Sequence, residues 1–279
     1  MENTKTTFQR SLESGISGAS AMSINIATLM WLRTTVNYQY RYGVNMRTAF
    51  QTLYKQGGIP RFYKGVGPAL LQGPLSRFGD TFANTGVVST LNSYEYTNSL
   101  PAWSKSILAS VGAASFRIFL MPIDTLKTTM QVQGSNGISN LKMKLHKNGP
   151  SVLFHGSIAS AGATFVGHYP WFATFNTLQE LIPKGDSTLS NFGRNAFIGF
   201  TSTCVSDTLT NSIRVVKVYK QSSIEIISYT NTIKNIVNEN GIGSLFGRGL
   251  QTKLLSNGIQ GIMFSVLWKY IDEKIFKNS

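Results

Sequence analysis

Tyr63-Lys64-Gly65, Phe154-His155-Gly156 and Phe246-Gly247-Arg248-Gly249 are three versions of one short pattern, an aromatic ring followed by Lys, His or Arg and closed by glycine. Each follows an earlier glycine (Gly58, Gly149 or Gly241) across four intervening residues, and those glycines lie 91 and 92 residues apart. Chance rarely sets one pattern down three times in register. A fixed period of this size means one supersecondary unit built three times. The 279 residues divide into three such units, 1–98, 99–186 and 187–279, each about 92 residues long.

Each unit reads as a long helix, a loop carrying a short amphipathic helix, and a second long helix. The first long helices are expected over 11–40, 102–133 and 190–222, and the second over 66–94, 157–181 and 250–276. The short helices fit 45–56, 139–148 and 228–239, where apolar residues recur at helical spacing. Pro122 lies inside an otherwise helical pattern and should kink or break the third long helix. The expected fold is all-α, with six long helices and no long linker.

Composition narrows the function. The formal charge is +14, which can steer a protein to nucleic acid, anionic lipid or anionic metabolites. Only 14% of residues are charged while 42% are hydrophobic. Nucleic-acid modules carry denser, striped charge, so that class is set aside. Cys204 is the only cysteine, and His146, His155 and His168 lack metal-ligand spacing. No phosphate-binding loop of the GxxxxGK[ST] type is present. Ser76, Asp80 and His168 have no spacing that supports a triad. No metal, cofactor or catalytic site is therefore expected.

Residues 14–32, 156–179 and 254–268 lack Asp, Glu, Lys and Arg. The first two approach the roughly 20 residues that span a bilayer core. All are rich in Gly, Ser, Thr and Asn, which suits helices that pack on one another or line a wet cavity. Hydropathy by itself leaves a soluble helical-repeat protein open. Charge placement favours the membrane. Arg33, Arg41, Arg47, Lys55, Arg61 and Lys64 follow one another without an acid, as do Lys127, Lys142, Lys144 and Lys147. Arg214, Lys217, Lys220, Lys234 and Arg248 recur in the third unit against Glu225 and Glu239. Basic charge thus returns on one side in phase with the repeat, as positive-inside asymmetry requires.

Pro122-Ile123-Asp124-Thr125-Leu126-Lys127 resembles the mitochondrial carrier signature Px[DE]xx[KR], and Gln131 matches the glutamine that often follows it. The aromatic-basic-glycine motifs resemble the second half of that family's signature. The resemblance runs from about residue 10 to 275. It implies six tilted transmembrane helices with pseudo-threefold symmetry around a central cavity. It also implies solute transport across the mitochondrial inner membrane by alternating access, in a monomer that binds cardiolipin. Gly65, Gly156 and Gly249 would mark the lipid sites, where helix N-termini suit phosphate. Met1-Glu2-Asn3 opens without a signal peptide or presequence pattern, and many members of the family are imported through internal signals.

In the family, three acids and three bases form a ring that closes the matrix side. Here Thr28-Leu29-Met30-Trp31-Leu32-Arg33 keeps the base and lacks the proline and the acid. Ser212-Ile213-Arg214-Val215-Val216-Lys217 keeps the base, puts Arg214 at the acidic position, and is followed by Gln221. The expected gate is therefore Asp124 against Arg33, Lys127, Lys217 and Arg214, with Gln131 and Gln221 beside it. Several cations around one acid do not neutralise themselves.

The solute site is expected on the same helices. Arg117 and Asp207 each lie five residues before the signature proline position and should face inward and pair, directly or through the solute. Seven residues past the motif glycines come Gln72, Ala163 and either Leu255 or Ser256, depending on whether Arg248 or Gly249 anchors the third copy. Twelve past come Arg77, His168 and either Gln260 or Gly261. Arg77 and His168 would bridge an anionic solute, with Gln72, Thr164 and Asn257 adding hydrogen bonds. Asp80 can also neutralise Arg77 locally. Transport of a small anionic metabolite is the leading reading. A carrier-fold scaffold or insertase that no longer transports is the alternative, followed by a soluble helical-repeat adaptor.

Overall fold

A computed structural model describes residues 7–271, and within them the side chains of several helical residues, Arg77 and Asp80 included, lie outside the description. The described residues form helices and no strands: α1 (Thr7–Tyr42), α2 (Met46–Lys55), α3 (Gly58–Phe62), α4 (Val66–Ser93), α5 (Glu95–Asn98), α6 (Ala102–Phe119), α7 (Met121–Gln133), α8 (Gly137–Asn148), α9 (Ser157–Leu181), α10 (Thr188–Ser222), α11 (Tyr229–Asn240), α12 (Gly243–Gly247) and α13 (Leu250–Ile271). The long and short helices fall where the periodicity places them. The stretch 272–276 of the last expected helix lies outside the described residues.

Local chemistry sets the boundaries. Asn45 starts α2 by accepting a hydrogen bond from the Thr48 amide at 2.8 Å, and Ser228 starts α11 through the Asn231 amide at 3.1 Å. Gly65, Gly156 and Gly249 take φ of +88°, +87° and +64° just before α4, α9 and α13. Left-handed backbone is costly for any residue with a Cβ, which explains the glycine in each motif. A Cβ on Gly65 would also stand 2.9 Å from the Lys127 carbonyl. Because Gly249 takes this conformation and Arg248 does not, Gly249 is the anchor of the third copy. Ser256 then answers to Gln72, and Gly261 to Arg77.

Pro122 breaks its helix as expected: α6 ends at Phe119 with Leu120 as its cap, and the segments Ile107–Phe119 and Met121–Asn148 meet at 62°. Leu29, one residue past the position where the first unit lacks its proline, is non-helical at φ −104° and ψ 15°. Among the described residues no single helix is long and apolar enough to cross a membrane; this one bent pair has the length and composition.

The long helices pack in a closed cycle, α1 on α4, α4 on α6, α6 on α9, α9 on α10, α10 on α13 and α13 back on α1. At one end α1, α7 and α10 also touch one another directly. Val36, Tyr40, Val132, Val215, Tyr219 and Ile236 form the apolar core of that end. Tyr38, Ala49, Leu53 and Phe62 seat α2 and α3 against α1. Full burial of Leu53 contributes about 1.5–3 kcal/mol.

Three buried cations tie this end together. Arg61 donates to the carbonyls of Gln131 and Val132, both at 2.8 Å, at the end of α7. Lys144 donates to the Ser223 carbonyl at 2.6 Å, just past α10. Arg248 donates to the Arg41 carbonyl at 3.3 Å, at the end of α1. Helix C-termini present unpaired carbonyls and partial negative charge, and cations suit both.

Candidate functional site

A cavity of about 260 Å³ lies where the long helices converge. Residues one turn apart on a helix share a face, so Arg33 with Asn37, Lys127 with Gln131, and Arg214 with Lys217 each enter it together. Gln72 reaches it from α4, Arg117 from α6 and Lys253 from α13. Arg33, Arg117, Lys127, Arg214, Lys217 and Lys253 make six cationic side chains in its wall, against Asp124 as the acid there.

Asp124 is 4% exposed and is held from both sides. Its Oδ1 lies 2.8 Å from Lys127 and its Oδ2 lies 2.7 Å from Lys217. The Gln221 amide donates to Oδ2 at 3.0 Å and to the Thr125 hydroxyl at 3.2 Å. Lys127 also donates to the Gln72 amide oxygen at 2.8 Å. This joins α4, α7 and α10 through one carboxylate. Between α1 and α7 two neutral contacts stand among the described residues: the Asn37 amide donates to the Gln131 amide oxygen, and Gln131 donates to the Met30 sulfur at 3.6 Å.

The third seam differs. Asp207 is 3% exposed and bonds Arg214 at 2.9 Å, two turns further along the same helix. Its other oxygen accepts from the Asn257 amide on α13. Asn257 in turn accepts from Lys253 at 3.1 Å. Arg33 donates to the Gln260 amide oxygen. The Tyr40 hydroxyl donates to Asn211 at 3.0 Å, and Asn211 donates to the carbonyls of Phe246 and Arg248.

The expected gate residues Arg33, Asp124, Lys127, Gln131, Arg214 and Lys217 are therefore brought together, with Gln221 against Asp124. The expected solute residues divide. Gln72 and Arg117 line the cavity, and Asn257 and Asp207 stand behind Arg214 and Lys253. Among the described contacts Asp207 bonds Arg214 and the Asn257 amide, and Arg117 donates to Ser76 at 3.0 Å, so the direct form of the expected Arg117–Asp207 pair is not seen, while pairing through a bound solute stands as a proposal. His168 is not brought to this cavity: its Nδ1 lies 2.9 Å from the Ser110 hydroxyl, between α9 and α6. Thr164 turns its hydroxyl back to the Ser160 carbonyl. Arg77 lies outside the described side chains.

Lys253 is the cavity cation that sequence reasoning missed. Its signal was present: it stands four residues past Gly249, one turn into α13, immediately before the uncharged stretch that begins at Leu254. Tyr40, Thr128 and Asn37 also line the cavity unforeseen, Asn37 at the position that Gln131 and Gln221 hold in the later units.

Gly156, the second motif glycine, packs against Lys217 and Gln221 of α10. The Ala159 amide donates to the Tyr229 hydroxyl at 3.4 Å, and Lys220 lies over the Tyr229 ring at 4.8 Å. Burial pushes the neighbouring His155 below its ordinary pKa, and the charges of Lys220 and Lys144 push it further. Lys144 is itself lowered, first by burial and then by Lys220.

The family model "Mitochondrial carrier protein" matches residues 98–186 and 189–279, well over half of the chain. The mitochondrial carrier-like protein L276 of Acanthamoeba polyphaga mimivirus is 24% identical over 168 residues, 60% of this chain and 65% of that protein. The calcium-binding mitochondrial carrier SAL1 of Saccharomyces cerevisiae is 26% identical over 167 residues, 51% of this chain and 30% of that protein. The mitochondrial thiamine pyrophosphate carrier 1 of Candida albicans is 23% identical over 177 residues, 59% of this chain and 58% of that protein. The chain thus spans less than two thirds of the length of these relatives. The matches to the family model fall on the two thirds of the sequence that follow residue 97, beginning with the one intact Pro-x-Asp signature, and on that ground the chain belongs to the mitochondrial carrier family.

Proposed function

We propose that this protein moves a small anionic solute across the mitochondrial inner membrane by alternating access, as a multi-pass monomer of three repeats with cardiolipin on its flanks. The observation that carries the reading is the cavity wall, six cations around Asp124 at the convergence of the long helices. Such a surface attracts anions and excludes cations. The distribution of polarity supports a membrane setting. Asn25, Thr34, Gln131, Asn211 and Gln221 are buried, while Phe119, Phe165, Tyr169, Phe197 and Leu209 are exposed. A helix that is polar inward and apolar outward has modest mean hydropathy yet still suits lipid. The bonds from Arg61, Lys144 and Arg248, each to the end of the next unit's long helix, support the cyclic three-repeat arrangement.

The names of the relatives support transport in general and do not choose the solute. One observation favours a second reading, a carrier-fold scaffold without transport: carboxylate pairing across two units is present at the α7/α10 seam, whereas the other two seams show neutral contacts or clustered cations. Reconstitution into liposomes decides between them. Saturable uptake or exchange of an anionic metabolite, at rates above protein-free vesicles, is the expected result. Intact, folded protein that moves no member of a broad metabolite panel selects the scaffold.

A further inference from the structure

The charges along the cavity wall are unevenly neutralised. Lys127 and Lys217 share Asp124. Across the seam of α1, α10 and α13 the wall is Arg33, Arg214 and Lys253. Asp207 is the carboxylate of that seam. Its Oδ1 is taken by Arg214 and its Oδ2 by the Asn257 amide. Lys253 receives only the neutral amide oxygen of Asn257. It stands within electrostatic range of Asp207 first, and then of the cations Arg214, Arg33 and Lys127, so three cations share that one carboxylate. Like charges gathered in a partly dehydrated space oppose one another strongly, and a neutral amide compensates them poorly. At the signature position where a carboxylate would face Arg33, the chain carries Arg214, a further cation.

We infer that this seam binds a soluble phosphate-type oxyanion, held by Arg33, Lys253 and Arg214, as a replaceable counter-ion in the place of the missing carboxylate. Three donors arriving from three different helices suit a tetrahedral anion, whose oxygens point in several directions. Two guanidinium forks and an ammonium provide charge-assisted hydrogen bonds to it. A cavity of about 260 Å³ admits such an ion with several waters, each taking about 30 Å³ in the liquid. Its role as the gate's counter-ion rests on the carrier reading; the binding itself does not.

The test uses the full chain purified in detergent and in nanodiscs. Sodium phosphate is titrated against sodium chloride at matched ionic strength while Tm is followed. A ligand of the folded state raises Tm in a saturable way. The wild type should show that rise with phosphate and not with chloride. Lys253→Gln should need about tenfold more phosphate for half the effect, the scale of one charge-assisted hydrogen bond. Gln260→Glu sets a carboxylate beside Arg33; it should raise Tm without phosphate and shrink the phosphate increment by roughly half or more. Lys55→Gln, exposed on α2, should respond as the wild type does. Equal half-saturation in wild type and Lys253→Gln overturns the proposal, as does an equal rise with chloride. A rise that needs anionic phospholipid in the nanodisc also overturns it, because that assigns the phosphate to a headgroup. If Lys253→Gln does not fold, an unchanged phosphate increment in Gln260→Glu overturns the proposal in its place. Uptake is read separately: a Lys253-dependent phosphate shift without transport keeps the site and removes the carrier reading, whereas transport without any phosphate shift removes the site and keeps the carrier reading.

Discussion

The seam between α7 and α10 and the seam between α10 and α1 are built at equivalent places with opposite solutions. The first is closed by Asp124, buried between Lys127 and Lys217 and braced by Gln221. The second gathers Arg33, Arg214 and Lys253, and draws its nearby carboxylate, Asp207, from seven residues earlier on α10. One seam is a self-sufficient lock with a shared anion. The other is a cationic surface whose Asp207 is committed to Arg214. The difference shows that losing a signature acid does not open the helices, since Tyr40, Asn211 and the apolar end still join α1 to α10. The loss relocates charge and makes one wall of the cavity more positive.

Removing the anion of the first seam should have the largest effect. Asp124→Asn leaves the half-buried Lys127 and Lys217 beside each other without a carboxylate. Breaking a buried pair by deleting one partner costs about 3–5 kcal/mol. Unfolding in detergent should show that loss, and uptake by the reconstituted protein should fall with it. Lys127→Gln should cost less, because Asp124 keeps Lys217 and Gln221. Equal Tm and uptake for Asp124→Asn and wild type would break the contrast between the seams.

Asp207→Asn probes the second seam and should cost less. Arg214 is 33% exposed at its side chain, and Asn257 retains a hydrogen-bonding partner in the new amide. The expected loss is about 1.5–3 kcal/mol, the range for a hydrogen bond to a charged group. A loss as large as that of Asp124→Asn would show that both seams depend equally on a buried carboxylate.

The smallest effect concerns pH, at the end of α10 outside both seams. His155 has a lowered pKa in the folded protein, caused first by burial and then by Lys220 and Lys144. The folded state therefore binds its proton less readily than the unfolded chain does. Stability should be unaffected well above the unfolded value of about 6.5 and should fall as pH drops below it. His155→Gln should flatten that part of the Tm-against-pH curve between pH 7 and pH 5. An unchanged slope would place the acid sensitivity elsewhere.

Helix limits and the break near Pro122 were legible in the sequence, because a threefold repeat multiplies each local signal; the gathering of Arg33, Asp124, Lys127 and Lys217 followed from the resemblance of 122–127 to the carrier signature. Rotation about the helix axis was less legible. Each residue turns a helix by about 100°, and symmetry counting gave Arg117 and Asp207 a common level without fixing which neighbour each would meet. Asp207 found Arg214 two turns along its own helix, a spacing that exceeds the usual one-turn pairs. His168 shared a level with Arg77, yet it points to Ser110 between α6 and α9. Lys253 went unnoticed because its stretch was read for its lack of charge, starting one residue too late. The identity of the third anchor glycine could not be read from Gly247-Arg248-Gly249; the positive φ of Gly249 decides it.

The cations at the helix ends have a consequence for how the chain comes together. Arg61 reaches forward about 70 residues and Lys144 about 80, but Arg248 reaches back 207 residues to Arg41. The last link of the cycle is thus the longest in sequence, and bringing such distant partners together carries the highest loop-closure entropy. Until the final third of the chain arrives, the end of α1 lacks its guanidinium, and Tyr40 lacks Asn211. No third can complete its own helix ends, so stability is a property of the closed cycle, and unfolding should proceed as one cooperative event rather than unit by unit.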